Sequence, residues 1–196
     1  VLREGRTRAL VHEGARVLVE AIRPPVSLLV LGAGPDAVPV VRLANELGWD
    51  VTVVDGRPAY ARAEHFPGAR AVLLAAPEAV ADRVEVDSDS VVLVMTHHYL
   101  HDRELLRWLI ATPARYVGVL GPRQRTLDLV HDLRDQSALP TDDVLARLHA
   151  PAGLDLGSEG VEEIALSILA EIQAVLAGRR GGPLRERKGP IHDPVA

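Results

Sequence analysis

Four short segments of this chain carry residues whose types and spacing suit anion binding and proton exchange. The first is Gly32-Ala33-Gly34-Pro35-Asp36-Ala37, which follows the aliphatic run Ser27–Leu31 and precedes a helical pattern. Gly32 permits a tight turn, Gly34 lets backbone approach a diphosphate, and Ala37 lets a helix pack close to a strand. The N–H groups that open such a helix have no partner inside it and favour negative charge. A side chain at Gly34 is therefore expected to block a phosphate. The second segment, Asp55-Gly56-Arg57-Pro58, ends another aliphatic run about 20 residues later, where such folds bind a ribose diol through an acid. Asp55 suits that diol or the capping of its own turn. Arg57 suits a phosphate, so the choice between NAD and NADP stays open.

The third segment, Thr96-His97-His98-Tyr99-Leu100-His101-Asp102, brings three imidazoles and a carboxylate together, groups that serve metal binding or proton transfer. Consecutive histidines project in different directions and no Glu-x-x-His pair accompanies them, so no metal site is expected. Asp102 is expected to cap a helix starting there, and His97 to fix the loop through backbone. In the fourth segment, Gly121-Pro122-Arg123-Gln124-Arg125, Arg123 is expected to face an anion at a helix start and Arg125 to be a solvated charge. Asp155, within the two-glycine loop Ala150–Gly157, either shapes the entry to the last helix or reaches the same crevice. None of these residues is assigned a catalytic role.

The elements that must position these segments follow from periodicity. Runs at 51–55, 71–75, 91–95 and 116–120 are short and aliphatic without alternation, as strands buried on both faces are. Helical patterns lie between them at 36–47, 59–65, 77–83, 102–110 and 122–136, followed by 142–148 capped by Thr141 and by 161–176. In the last, Val161, Ile164, Ala165, Ile168, Leu169, Ile172, Val175 and Leu176 form one apolar stripe. Strands alternating with helices predict an α/β, Rossmann-like doubly wound parallel sheet, with ligands bound beyond the carboxyl ends of the strands. Residues 1–23 read as a β-hairpin turning at Glu13-Gly14, expected to be the tail of a preceding domain. Residues 24–178 read as the Rossmann-like domain, and 179–196 as a basic, flexible tail. An exposed strand pair is a ready pairing edge, which predicts a homodimer.

Composition narrows the partners. The net charge is −5 and only six residues are Phe, Trp or Tyr, which argues against a nucleic-acid surface. No apolar run approaches the ~20 residues of a membrane span and nothing resembles a secretion signal, so no membrane association and a cytoplasmic location are expected. The chain has no cysteine, which removes disulfides, thiolate metal ligands and persulfide carriage by this polypeptide.

Taken together, Pro24–Ala37, Val53–Pro58, Phe66-Pro-Gly-Ala69, Met95–Tyr99, Tyr116–Arg123, Gly153–Gly157 and Glu163–Ile172 resemble the xanthine dehydrogenase accessory proteins of the XdhC/CoxF type. The resemblance covers nearly everything from Pro24 to Gly178. It implies an accessory protein, more a maturation chaperone than a stand-alone enzyme. Such a protein binds the molybdenum cofactor, supports its sulfuration with a cysteine desulfurase, and hands it to an apo-molybdenum hydroxylase of the xanthine dehydrogenase type. The pterin phosphate, or a dinucleotide such as NAD(P), would lie on Gly32–Ala37. Members of the family usually also carry a cysteine-bearing amino-terminal domain, and often a proline where Val161 stands. The alternatives are an NAD(P)-dependent oxidoreductase and a nucleotide-sensing domain.

Overall fold

The computed structural model describes residues 8–12, 14–20, 22, 24–135 and 142–191. Glu13, Gln136 and Thr141 lie outside them, as do residues 192–196. The chain divides into two compact units, 26–181 and a smaller one made of 1–25 with 182–196. In the smaller unit β1 (Arg8–His12) pairs antiparallel with β2 (Ala15–Val19), and Leu184–Glu186 forms a 3-10 turn. Gly14 makes the hairpin corner with φ of 82°, a conformation open to glycine at little cost.

The larger unit is built on six parallel strands in the order β5-β4-β3-β6-β7-β8. They are β3 (Ser27–Leu31), β4 (Asp50–Asp55), β5 (Ala71–Leu74), β6 (Ser90–Val94), β7 (Tyr116–Val119) and β8 (Leu148–His149). The helices are α1 (Ala37–Glu46), α2 (Tyr99–Leu109), α3 (Arg123–Asp135), α4 (Asp142–Arg147) and α5 (Val161–Leu176). Alternate strand residues feed two separate cores. Leu28, Val30, Val51, Val53, Val91 and Leu93 pack beneath α1 and α5. Leu29, Leu31, Val92, Val94, Val117 and Val119 pack beneath α2 and α3. Both faces are buried, which is why these runs show no polar alternation. Small residues bring α1 close to its neighbours, with Ala37, Val40 and Ala44 fully buried. Pro39 fits the first turn, where its missing N–H had no helical partner.

Several expected elements differ. The stretches 59–65 and 77–83 are not α-helices: only 3-10 turns form, at Ala63–His65 and Pro77–Asp82. Each is short, and prolines at 58, 67 and 77 bound them, too little chain to repay the cost of nucleating a helix. The helix expected at 102 starts at Tyr99, because the His98 ring accepts the N–H of His101 and caps it. Leu148, expected as the end of a helix, joins His149 in edge strand β8 instead. Val161 is exposed at the start of α5, outside the buried stripe.

A polar cluster that periodicity does not reveal ties α5 to the sheet. Tyr116 lies flat along β7 because Gly118 has no side chain; a Cβ there would meet the Tyr116 ring at 2.7 Å. Its hydroxyl donates to Glu171 Oε2 at 2.6 Å, the Gly153 N–H donates to the same oxygen at 2.9 Å, and His149 Nδ1 lies 3.2 Å from Oε1. His149 also stacks on the Tyr116 ring, with centroids 4.3 Å apart. Burial alone would raise the Glu171 carboxyl, but His149, Tyr116 and the Gly153 N–H outweigh it and hold it at about 2.

Candidate functional site

The order of the strands reverses between β3 and β6: the chain moves outward through β4 and β5, returns to β6, and moves outward the other way through β7 and β8. Beyond the carboxyl ends at that point lies a crevice, the site such folds use for ligands. Its wall includes Gly32 from the first turn, Asp55, Gly56 and Arg57 after β4, Ala75 and Pro77 after β5, and Thr96, His98 and His101 after β6.

Gly32 runs hard against the backbone that follows β6. Its φ is 119°, and a Cβ would lie 2.5 Å from the Met95 carbonyl oxygen and 2.9 Å from the Thr96 nitrogen. Gly34 is different: a Cβ there would meet only the Asp36 carboxylate, at 2.6 Å. Asp36 stands at the cap position of α1 without bonding the helix. It pairs instead with His97 Nε2 at 2.6 Å, joining the loops on the two sides of the reversal. His97 adopts a left-handed φ of 57°, uncommon for a residue with a Cβ. The expectation that His97 bonds backbone gives way to this hydrogen bond with a carboxylate.

Asp55 is almost fully buried and heavily bonded. It accepts from the Ala33 N–H at 2.7 Å, from the Arg57 N–H at 2.8 Å, and from Arg57 Nε and Nη2 at 2.9 and 2.7 Å. Burial raises its carboxyl, and these bonds, led by the Arg57 side chain, outweigh it and lower the value. The guanidinium lies 3.9 Å over the Tyr60 ring, so it is held on two sides while half exposed.

Behind Thr96 lies a second buried network. Asp102 is 1% exposed inside α2, not a cap at its start. It accepts from the Thr96 hydroxyl, and Arg125 Nη2 donates to its other oxygen at 2.6 Å. Burial raises the Asp102 carboxyl against the bond from Thr96 and the charge of Arg125. Arg125, expected as a solvated charge, therefore fastens α3 to α2 because a buried carboxylate needs a partner. Thr96 also accepts the His98 N–H at 3.1 Å, so one hydroxyl sets the start of the histidine loop. Thr96→Val, which keeps shape and removes both bonds, is expected to lower stability by about 1.5 kcal/mol in urea denaturation. An unchanged midpoint would show that Asp102 re-pairs without it.

The structure thus brings Gly32, Asp55, Arg57 and Thr96 to one crevice. Ala33, Gly34, Pro35, Asp36 and His97 lie on the adjoining turn and loop, outside its lining. Gly121 follows β7 with φ of 131°, and Arg123 is exposed at the start of α3; neither lines the crevice. Asp155 is exposed and also outside it. His98 and His101, whose rings lie 4.0 Å apart, do line it. Their spacing of three was the available signal, since it is the spacing of a helix cap and the residue whose N–H the cap accepts. The His98 ring uses Nδ1 to accept the His101 N–H at 3.4 Å. Among the described residues, no three His, Cys, Asp or Glu side chains are placed to share a metal ion, and no helix is long and apolar enough to cross a membrane.

Comparison with known proteins places this geometry in a family. Residues 28–172 match the XdhC Rossmann domain. A probable xanthine dehydrogenase subunit of Bacillus subtilis strain 168 is 36% identical over 156 residues, covering 80% of this chain and 44% of that protein. The uncharacterized protein YqeB of Escherichia coli K12 is 32% identical over 175 residues, covering 89% of this chain and 31% of its own length. The crystal structure of a xanthine dehydrogenase from Bacillus halodurans superposes with a TM-score of 0.71 at 34% identity, over 80% of this chain and 44% of that one. The chain spans less than half the length of these relatives. The chain belongs to the XdhC family, of which it carries the Rossmann domain.

Proposed function

We propose that this domain handles the molybdenum cofactor during maturation of xanthine dehydrogenase-type enzymes, as cargo held in the crevice at the β3–β6 reversal. The observation that carries the proposal is the crevice wall itself. Arg57 is fixed by Asp55 and Tyr60 with half of its side chain open, and the paired rings of His98 and His101 line the same cavity. A guanidinium held in place suits a phosphate monoester such as that of the pterin. The pterin brings its own dithiolene sulfurs for the metal, so the cargo asks the protein for anion and ring contacts rather than a thiolate. Sulfur would come from a cysteine desulfurase and the finished cofactor would pass to an apo-molybdenum hydroxylase, in the cytoplasm. The hairpin β1–β2, with Val11 and Leu18 exposed, offers an edge for homodimer formation.

Incubation with molybdenum cofactor released from a donor protein, followed by gel filtration and metal and pterin analysis, tests the proposal. The expected result is retention near one equivalent, lowered at least tenfold in Arg57→Glu, with transfer to an apo-dehydrogenase restoring its activity. A chain that emerges free of both molybdenum and pterin overturns it. Light scattering giving a monomer at high concentration overturns the dimer.

A further inference from the structure

We infer that the crevice is closed to nucleoside diphosphates in the pose this fold ordinarily gives them, and that Arg57 is the residue that closes it. In that pose the ribose diol donates to the acid ending the second strand, and the diphosphate lies over the second glycine. Asp55 is that acid, and an ionised carboxylate offers about four lone-pair positions. Four donors fill them: Arg57 N and Nε on Oδ1, Arg57 Nη2 and the Ala33 N–H on Oδ2. Three of the four come from Arg57. A diol brought to Asp55 would find no acceptor, and a polar group left unpaired in a buried place is costly.

The phosphate end is obstructed as well. The Asp36 carboxylate sits 2.6 Å from where a Gly34 side chain would begin, and His97 holds it there. A diphosphate over Gly34 would meet a negative charge. What stays open is the outward edge of Arg57 with His98 and His101, which suits an anion lacking a ribose diol. This selectivity rests on the reading of the crevice as a site for a phosphate-bearing ligand. It excludes NAD, NADP and ADP-ribose as ordinary occupants.

Calorimetric titration of this chain with ADP-ribose, NAD and NADP tests the inference. The wild type is expected to show no saturation below about 1 mM. Arg57→Ala, which removes the two side-chain donors and so frees one position on each Asp55 oxygen while the backbone N–H groups of residues 33 and 57 stay bonded, is expected to bind ADP-ribose at least tenfold more tightly, and Arg57→Ala with Asp55→Ala to lose that gain. Arg57→Met keeps the aliphatic stem and serves if the alanine variant does not fold. Saturation of the wild type at micromolar ADP-ribose overturns the inference whatever the variants do. A folded Arg57 variant that binds no more tightly than the wild type overturns the role of Arg57. Molybdenum-cofactor retention in the same preparations separates the two readings: retention alongside tight ADP-ribose binding overturns the exclusion alone, whereas loss of both overturns the cargo proposal alone.

Discussion

Gly32→Ala is expected to destabilise the protein by about 4 kcal/mol, the sum of two penalties. A φ of 119° lies where residues with a Cβ are strained, by roughly 1–3 kcal/mol. The added carbon would also stand 2.5 Å from the oxygen and 2.6 Å from the carbon of the Met95 carbonyl. Neither can move aside as a side chain would, because Met95 N donates to the Leu31 oxygen at 2.7 Å and Gly32 N to the Val54 oxygen at 2.8 Å. Overpacking against fixed backbone adds about 1–3 kcal/mol. For a chain of this length the melting temperature should fall roughly 8–16 °C. Gly34→Ala, whose Cβ displaces only the Asp36 carboxylate, should cost under about 1 kcal/mol. Urea denaturation of both proteins checks the contrast; equal losses would show that the ends of β3 and β6 part easily.

The second large effect is acid sensitivity through Glu171. Its carboxyl is held at about 2 against an ordinary 4.5, and its side chain is 17% exposed. A carboxyl lowered by folding contributes stability that is fully present above the unfolded value and disappears as pH falls through the folded one. The window is therefore pH 4.5 down to about 2, and the contribution lost is about 3 kcal/mol. Glu171→Gln should be less stable than the wild type at neutral pH by a similar amount, with the difference shrinking as pH falls through that window. Denaturation midpoints at pH 7, 4 and 3 measure it. A constant difference across the three would show that the cluster does not depend on the charge of Glu171.

The sheet was legible because its causes are local and periodic. Val51–Asp55 and Val91–Met95 are aliphatic on both faces, and Gly32 marks the turn between strand and helix. Arg57 and Asp55 were legible as crevice residues from their place after a strand, but not as partners, since the bond between them depends on the bend at Gly56. Asp102 was misread for a related reason. A carboxylate near a helix start ordinarily caps it, and only the approach of Arg125 from α3 and Thr96 from the loop after β6 makes a buried position tolerable. Glu171 was hidden by the pattern of α5, where it lies one residue before fully buried Ile172. Its partners Tyr116 and His149 come from strands far away in sequence. The missing side chain at Gly118, whose place the Tyr116 ring takes, was the trace of Tyr116 lying along the strand.

The pairing of β3 with β6 carries a consequence for how the molecule is made. Ser27 faces Ser90 and Leu31 faces Val94, so the central contact of the sheet joins parts of the chain separated by two whole strands and a helix. During synthesis β3, α1, β4 and β5 leave the ribosome with one side of β3 open and its aliphatic edge uncovered until β6 follows. Sheets of such non-local pairing form slowly and are exposed to aggregation while they wait. The Gly32 turn finds its neighbour Met95 only then, so the crevice cannot take shape before α2, which supplies His101, has followed β6 out.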